Sequence, residues 1–230
     1  MVLVHGAGGS SLSWIRVLPG LGRSARLFAI DLPGHGQSPG PAPTQIAGFR
    51  ESVRAFVAGR GLERPVLAGH SMGGAVVLDY ALAYPGEAAG LVLCSTSGWF
   101  PIDPALLGLL EQGLAGFHRE LARRAFGPTL AGAQAEAAIR DLWSAPARVT
   151  LDDLRACAAF DVRSCLGSIR APSLVLCGKA DRLTPPALAQ DLAGCLPESR
   201  LVLLEDAGHM LPWEAPRGVI QEVAGFLARI

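Results

Sequence analysis

The chain has 230 residues, half of them hydrophobic and 17% charged, which supplies a substantial core and excludes intrinsic disorder as its general state. Twenty Lys and Arg balance twenty Asp and Glu, which argues against a nucleic-acid binder with its excess of phosphate-neutralising cations. No apolar run reaches the roughly 18–20 residues that span a bilayer. The opening Met1-Val2-Leu3-Val4-His5 lacks the basic flank and long apolar stretch of a signal peptide. These features predict a cytoplasmic protein without membrane or nucleic-acid partners. The five cysteines (Cys94, Cys157, Cys165, Cys177 and Cys195) are odd in number and widely spaced. No disulfide framework or zinc module follows, and neither a metal nor another cofactor is expected.

Short Val- and Leu-rich runs recur along the chain, with the length of buried strands rather than helices. They are Met1–Val4, Arg26–Ile30, Pro65–Ala68, Gly90–Leu93, Leu174–Cys177 and Leu201–Leu204. Helix-compatible stretches lie between most of them. Gln45–Ala58 places Ile46, Phe49, Val53, Phe56 and Val57 close to a 3.6-residue period, and Ala75–Ala83, Ala187–Leu192 and Val219–Leu227 are similar. Strand alternating with helix predicts an α/β fold with a parallel sheet covered on both faces.

The alternation breaks between Gly98 and Ser168. Leu106, Leu107, Leu110, Leu114, Phe117 and Leu121 mark one helical face. Ile139, Leu142 and Trp143 mark a second, and Leu151, Leu154 and Ala158 a third. The sequence thus divides into a core, residues 1–97 and 169–230, and a helical cap, residues 98–168. The cap is expected over the C-terminal edge of the sheet, where open α/β sheets bind ligands.

The pattern G-x-S-x-G occurs twice, at Gly36–Gly40 and Gly69–Gly73. As a nucleophile elbow it needs a strand, a strained turn that exposes the serine Oγ, and a helix. The residue after the serine must also offer its N–H to an oxyanion. Ser38 fails, because Pro39 has no N–H and no helical pattern follows. Ser71 succeeds: Val66-Leu67-Ala68 precedes it, Met72 has an N–H, and Gly74–Leu78 opens a helix whose dipole favours a developing anion. Ser71 is therefore the expected nucleophile.

A serine needs a base, and the base an orienting carboxylate. The one histidine after the cap is His209, in a Gly-containing loop behind Leu201–Leu204. His118, on a cap helix, is expected to be solvated, and His70 to point away from Ser71. The strand Leu174–Cys177 leads to Asp181, the expected acid, with Asp161 as rival. Glu205, Asp206 and Asp79 read as surface or helix charges. The Gly-rich turn after the first strand, His5-Gly6-Ala7-Gly8-Gly9, lets backbone approach a ligand. Ala7 is the expected second oxyanion donor beside Met72, with Gly8 next.

With these residues in place the sequence resembles the α/β-hydrolase superfamily, in its cap-bearing small esterase and lyase branch. The matching segments are Val4–Gly9, Asp31–Ser38, Gly69–Gly74, Gly178–Asp181 and Ala207–Met210, which run through essentially the whole chain in the family's order. The resemblance implies that the residue after the first His-Gly, Ala7, is an oxyanion donor. It also implies that Asp31–Ser38 is a loop near the site entrance, which accounts for the second G-x-S-x-G. Family members usually open with an antiparallel strand pair, whereas this chain starts on the His-Gly strand. A sheet of about six parallel strands is expected, with Arg26–Ile30 an unprotected edge that favours low stability or self-association as a homodimer.

The expected activity is hydrolysis of a small carboxylic ester or lactone through an acyl-enzyme. Carbon–carbon bond hydrolysis, perhydrolysis and cofactor-free lyase chemistry share the triad, and a ligand receptor could retain it without turnover. A dinucleotide enzyme is a poor fit, because Ser11 stands at the third glycine position and the triad would go unused. Pocket walls are expected from Trp99, Phe100, Leu106, Leu107, Trp143, Leu183 and Met210. Arg119, Arg123 and Arg124 form a local basic cluster that would suit carrier-protein esters. The cap as a whole is not basic, with seven Arg against eight Asp and Glu.

Overall fold

A computed structural model describes all residues, Met1–Ile230. The strands are β1 (Val2–Val4), β2 (Phe28–Ile30), β3 (Val66–His70), β4 (Gly90–Cys94), β5 (Ser173–Gly178) and β6 (Ser199–Leu204). All pair in parallel in the order β2-β1-β3-β4-β5-β6. The first two residues of β6, Ser199 and Arg200, and Ser173 of β5 lie outside the apolar runs. They join the ladder because Ser173 pairs with Ser199 and Leu174 with Arg200 through the backbone, whatever the side chains.

The sheet separates two apolar layers, and the two-residue strand period assigns side chains to them. Val2, Val4, Leu67, Leu91 and Leu93 face one layer with α2 (Ile46–Gly59), α3 (Met72–Ala83) and α8 (Pro186–Cys195). Leu3, Val66, Ala68, Val92 and Cys94 face the other, with Trp14, Leu21, Val219, Val223 and Phe226. The latter belong to a 3-10 turn (Ser11–Trp14), α1 (Leu18–Leu21) and α10 (Pro216–Leu227). A short α9 (Leu211–Glu214) precedes α10. The strand order reverses at β1, so the chain leaves the ends of β1 and β3 toward opposite sides. A crevice opens between them, at the position where such sheets bind ligands.

The cap segment folds as α4 (Pro104–Gln112), α5 (Leu114–Ala125), α6 (Gly132–Leu142) and α7 (Ala147–Ala158). The single face read over Leu106–Leu121 is split into two helices at Gly113, whose φ of 125° suits glycine. These helices share a third apolar cluster that includes Leu110, Phe117, Leu121, Ile139 and Leu142. His118 is buried there, not solvated, because α5 packs against both α4 and α6 and so hides more than one face. The two ends of the segment are clipped together by a bridge between Trp99 and Asp161 and by Val162 N–H on the Gly98 carbonyl at 2.9 Å. No helix is long and apolar enough to cross a membrane.

Candidate active site

Ser71 sits in the tight turn between β3 and α3, at φ 53° and ψ −121°. Only close backbone packing can hold a non-glycine residue in so strained a conformation. A Cβ on Gly69 would lie 2.2 Å from the Gly73 carbonyl oxygen, and one on Gly73 would lie 2.3 Å from that of Val4. Both glycines of the motif are therefore dictated by sterics. Ser71 N–H donates to the Cys94 carbonyl at 3.0 Å, and Thr96 Oγ1 donates to the Ser71 carbonyl at 2.8 Å. Ser38 has no such setting. It lies in an irregular loop, where Asp31 accepts N–H bonds from Ser11 at 2.7 Å and Gln37 at 2.9 Å.

His209 and Asp181 meet behind β5 and β6. His209 Nδ1 lies 3.0 Å from Asp181 Oδ2 and 3.2 Å from Oδ1. Asp181 Oδ1 also accepts the N–H groups of Leu183 and Thr184, each at 2.9 Å, while Thr184 Oγ1 donates to Oδ2 at 2.8 Å. Burial opposes ionisation of Asp181. The facing His209 charge and hydrogen bond, with the Thr184 donors, outweigh it and lower the pKa. The carboxylate thus keeps the proton of His209 on Nδ1 and leaves Nε2 free for a hydroxyl. Ser71 Oγ and His209 Nε2 are not hydrogen-bonded to each other, but both residues open on one cavity. Asp161 is far from this chemistry: it is exposed and paired with Arg163, which holds its carboxyl down at about 2.

The His209 loop is braced from three sides. Its N–H donates to the Ala125 carbonyl at 2.7 Å, so the cap supports it directly. Glu214 accepts from the N–H groups of Gly208, Met210 and Gly127 at 3.0, 3.1 and 2.6 Å. His70 does not line the cavity over Ser71 but braces the His209 loop. Its Nε2–H donates to the His209 carbonyl at 2.8 Å, and burial beside His209 lowers its pKa to about 3, so it stays neutral. Glu214 and His70 were invisible as site residues in the sequence, because their partners are backbone groups that folding brings near, and Thr184 carries no sequence signal beyond standing three residues after Asp181.

On the other side of Ser71, the turn after β1 carries Ala7 into the cavity wall. Gly8 N–H donates to Asp153 Oδ2 at 2.8 Å. His5 holds the turn from behind. It accepts Leu32 N–H on Nε2 at 3.0 Å and donates from Nδ1 to the Gly6 carbonyl at 2.8 Å, with burial lowering its pKa to about 4. Met72 N–H opens α3, where first-turn donors have no intrahelical acceptor.

The cavity over Ser71 and His209 measures about 90 Å³. Phe100, Leu106, Trp143 and Leu183 line it, together with Phe117 and Leu154. Trp99, Leu107 and Met210 do not. Trp99 lies under the Arg163 guanidinium, 4.9 Å from its ring centroid. Leu107 and Met210 pack into the cap cluster, because the helical period of α4 and the turn into α9 aim them there. No three His, Cys, Asp or Glu side chains come together in metal-ligating positions.

A profile of the alpha/beta hydrolase family matches residues 1–222. The chain belongs to the alpha/beta hydrolase family. It is 30% identical over 244 residues to a pimeloyl-[acyl-carrier protein] methyl ester esterase of Aeromonas hydrophila, covering 99% of this chain and 94% of that one. It is 32% identical over 255 residues to the dihydrolipoyllysine-residue acetyltransferase component of an acetoin cleaving system of Pseudomonas putida. All of this chain aligns there, but it spans only 63% of that longer relative. Among solved structures, a thermophilic esterase from Thermogutta terrifontis superposes with a TM-score of 0.89 at 27% identity, over 99% of this chain and 89% of that one.

Proposed function

We propose that this hydrolase cleaves a small carboxylic ester or lactone by acyl transfer to Ser71. The observation that supports this best is the convergence, on one cavity, of a strained serine and a histidine whose Nδ1 is held by a buried carboxylate. His209 Nε2 takes the Ser71 proton as Oγ attacks the carbonyl carbon. Asp181 holds the ring and stabilises the imidazolium, while the N–H groups of Ala7 and Met72 receive the oxyanion. His209 then protonates the leaving alcohol, and a water activated by the same ring releases the acid. The cavity walls are largely apolar, with Phe100, Leu106, Phe117, Leu121, Leu154 and Leu183 among them, which suits an apolar acyl or alcohol group. The test is hydrolysis of p-nitrophenyl esters from acetate to decanoate, with Ser71→Ala as blank. Serine-dependent turnover supports the reading, and a fully active Ser71→Ala protein refutes it.

A second reading adds an anionic handle to the substrate. A groove of about 260 Å³ beside the cavity is lined by Arg119, Arg123 and Arg182, and Arg182 also reaches the cavity itself. Arg119 and Arg182 have no carboxylate partner. An ester borne on a carrier protein, as in the name of the Aeromonas relative, would present such a charge. Arg182→Glu should then raise KM for an anionic ester and leave KM for a neutral one unchanged.

A further inference from the structure

Behind the Ala7 turn lies a buried polar cluster that acyl transfer does not use. Asp153 on α7 and His35 on the loop after β2 have side chains with no exposure, and His35 Nε2 meets Asp153 Oδ2 at 2.8 Å. His35 Nδ1 lies 3.1 Å from the Pro33 carbonyl oxygen. Both ring nitrogens thus face acceptors, so the ring holds both protons and pairs as a cation with the carboxylate. Burial opposes that charge, but the hydrogen bond and charge of Asp153, with the Pro33 carbonyl and Asp31, raise the pKa of His35.

The same Asp153 oxygen accepts Gly8 N–H at 2.8 Å, across 145 residues of sequence. On the other side of that residue the Gly8 carbonyl accepts Ala145 N–H at 3.0 Å. Trp143 closes the remaining face. Gly8 has φ 62°, and a Cβ there would lie 2.3 Å from Trp143 Cδ1 and 2.7 Å from Thr150 Oγ1. Every restraint on Gly8 beyond its own turn comes from the cap segment. Asp153 Oδ1 is buried with no partner. An interior carboxylate with a bare oxygen is costly, and an apolar side chain would pack there at lower cost. Packing alone does not account for an acid at this position.

We propose that Asp153 is a positioning residue for the oxyanion hole. It fixes the Gly8 peptide and so aims the preceding Ala7 N–H into the cavity, with His35 holding the carboxylate in place. The hole is then a joint product of core and cap. This rests on the acyl-transfer reading of Ser71 and Ala7.

The test uses the full chain with two variants. Asp153→Leu removes the acceptor without leaving a void, and Asp153→Asn returns an oxygen to Gly8 N–H while removing the charge. Each is assayed for p-nitrophenyl acetate hydrolysis and for inhibition by butylboronic acid. Ser71 Oγ adds to the boron, its proton passes to His209, and a boron-bound oxygen takes the oxyanion position. A misplaced donor commonly costs ~100-fold. Asp153→Leu should lose that factor in kcat with KM within about threefold of wild type, and boronate affinity should fall by a matching factor. Asp153→Asn should restore both to within about threefold. Wild-type kcat in Asp153→Leu overturns the proposal. So does a loss of kcat without loss of boronate affinity, or an Asn variant as poor as Leu. If Asp153→Leu does not fold, Asp153→Ala is read against the same outcomes. Hydrolysis surviving in Ser71→Ala would instead sink the acyl-transfer reading, while Ser71-dependent hydrolysis indifferent to Asp153 would sink this inference alone.

Discussion

Asp181→Asn changes one atom, and the structure dictates how the amide must sit. Two backbone N–H groups, of Leu183 and Thr184, donate to Oδ1. The amide oxygen has to take that position, since an NH₂ there would face two donors. The NH₂ then falls at the Oδ2 position, facing Thr184 Oγ1 and His209 Nδ1. Nδ1 can no longer donate and must accept, so the ring proton moves to Nε2. In that tautomer His209 cannot take a proton from Ser71. A wrong-tautomer triad loses ~10⁴-fold in kcat, or about 5.4 kcal/mol of transition-state stabilisation. Because the backbone donors keep their acceptor, the fold should survive, and the melting temperature should stay within a few degrees. Steady-state hydrolysis of p-nitrophenyl acetate, paired with a thermal melt, reads both quantities. An Asp181→Asn protein that keeps more than a tenth of wild-type kcat would refute the assignment of Asp181 as the orienting carboxylate. A large loss accompanied by unfolding would leave the tautomer argument without support.

Acyl-chain preference should peak at short chains, because Phe100, Leu106, Phe117 and Trp143 wall the cavity over Ser71. Truncating its wall in Leu106→Ala should move the optimum to longer chains, read as kcat/KM across the p-nitrophenyl series. Gly73→Ala should destabilise by ~3 kcal/mol or more in urea unfolding, since its Cβ would meet backbone rather than a side chain that can yield. Stability should fall at both ends of the pH range. The lowered pKa of Asp181 contributes stability that is present above its unfolded value of about 3.9 and lost as pH falls through the folded value. The raised pKa of His35 contributes stability that is present below about 6.5 and lost as pH rises through its folded value. Asp153→Leu should remove the alkaline loss in a series of thermal melts, and a wild-type alkaline limb in that variant would contradict the pairing.

Much of this molecule was written in local sequence. Strands buried on both faces must be continuous apolar runs, so β1, β3 and β4 could be read directly. The elbow could be read because its constraints act within five residues: Gly69 and Gly73 are there for want of space, and Met72 rather than proline follows the serine. Asp181 and His209 follow from strand order, since each sits in the loop at the end of its strand. Tertiary structure decided the rest. His118 is buried because α5 is covered on two sides, which an amphipathic period cannot announce. Trp99 and Met210 are apolar like the residues that line the cavity, and only packing sends them elsewhere. The His35–Asp153 pair joins side chains 118 residues apart, and Glu214 caps three N–H groups from two separate loops. Local sequence encodes which conformations a segment can adopt, whereas a hydrogen bond between distant segments depends on the arrangement of every layer between them.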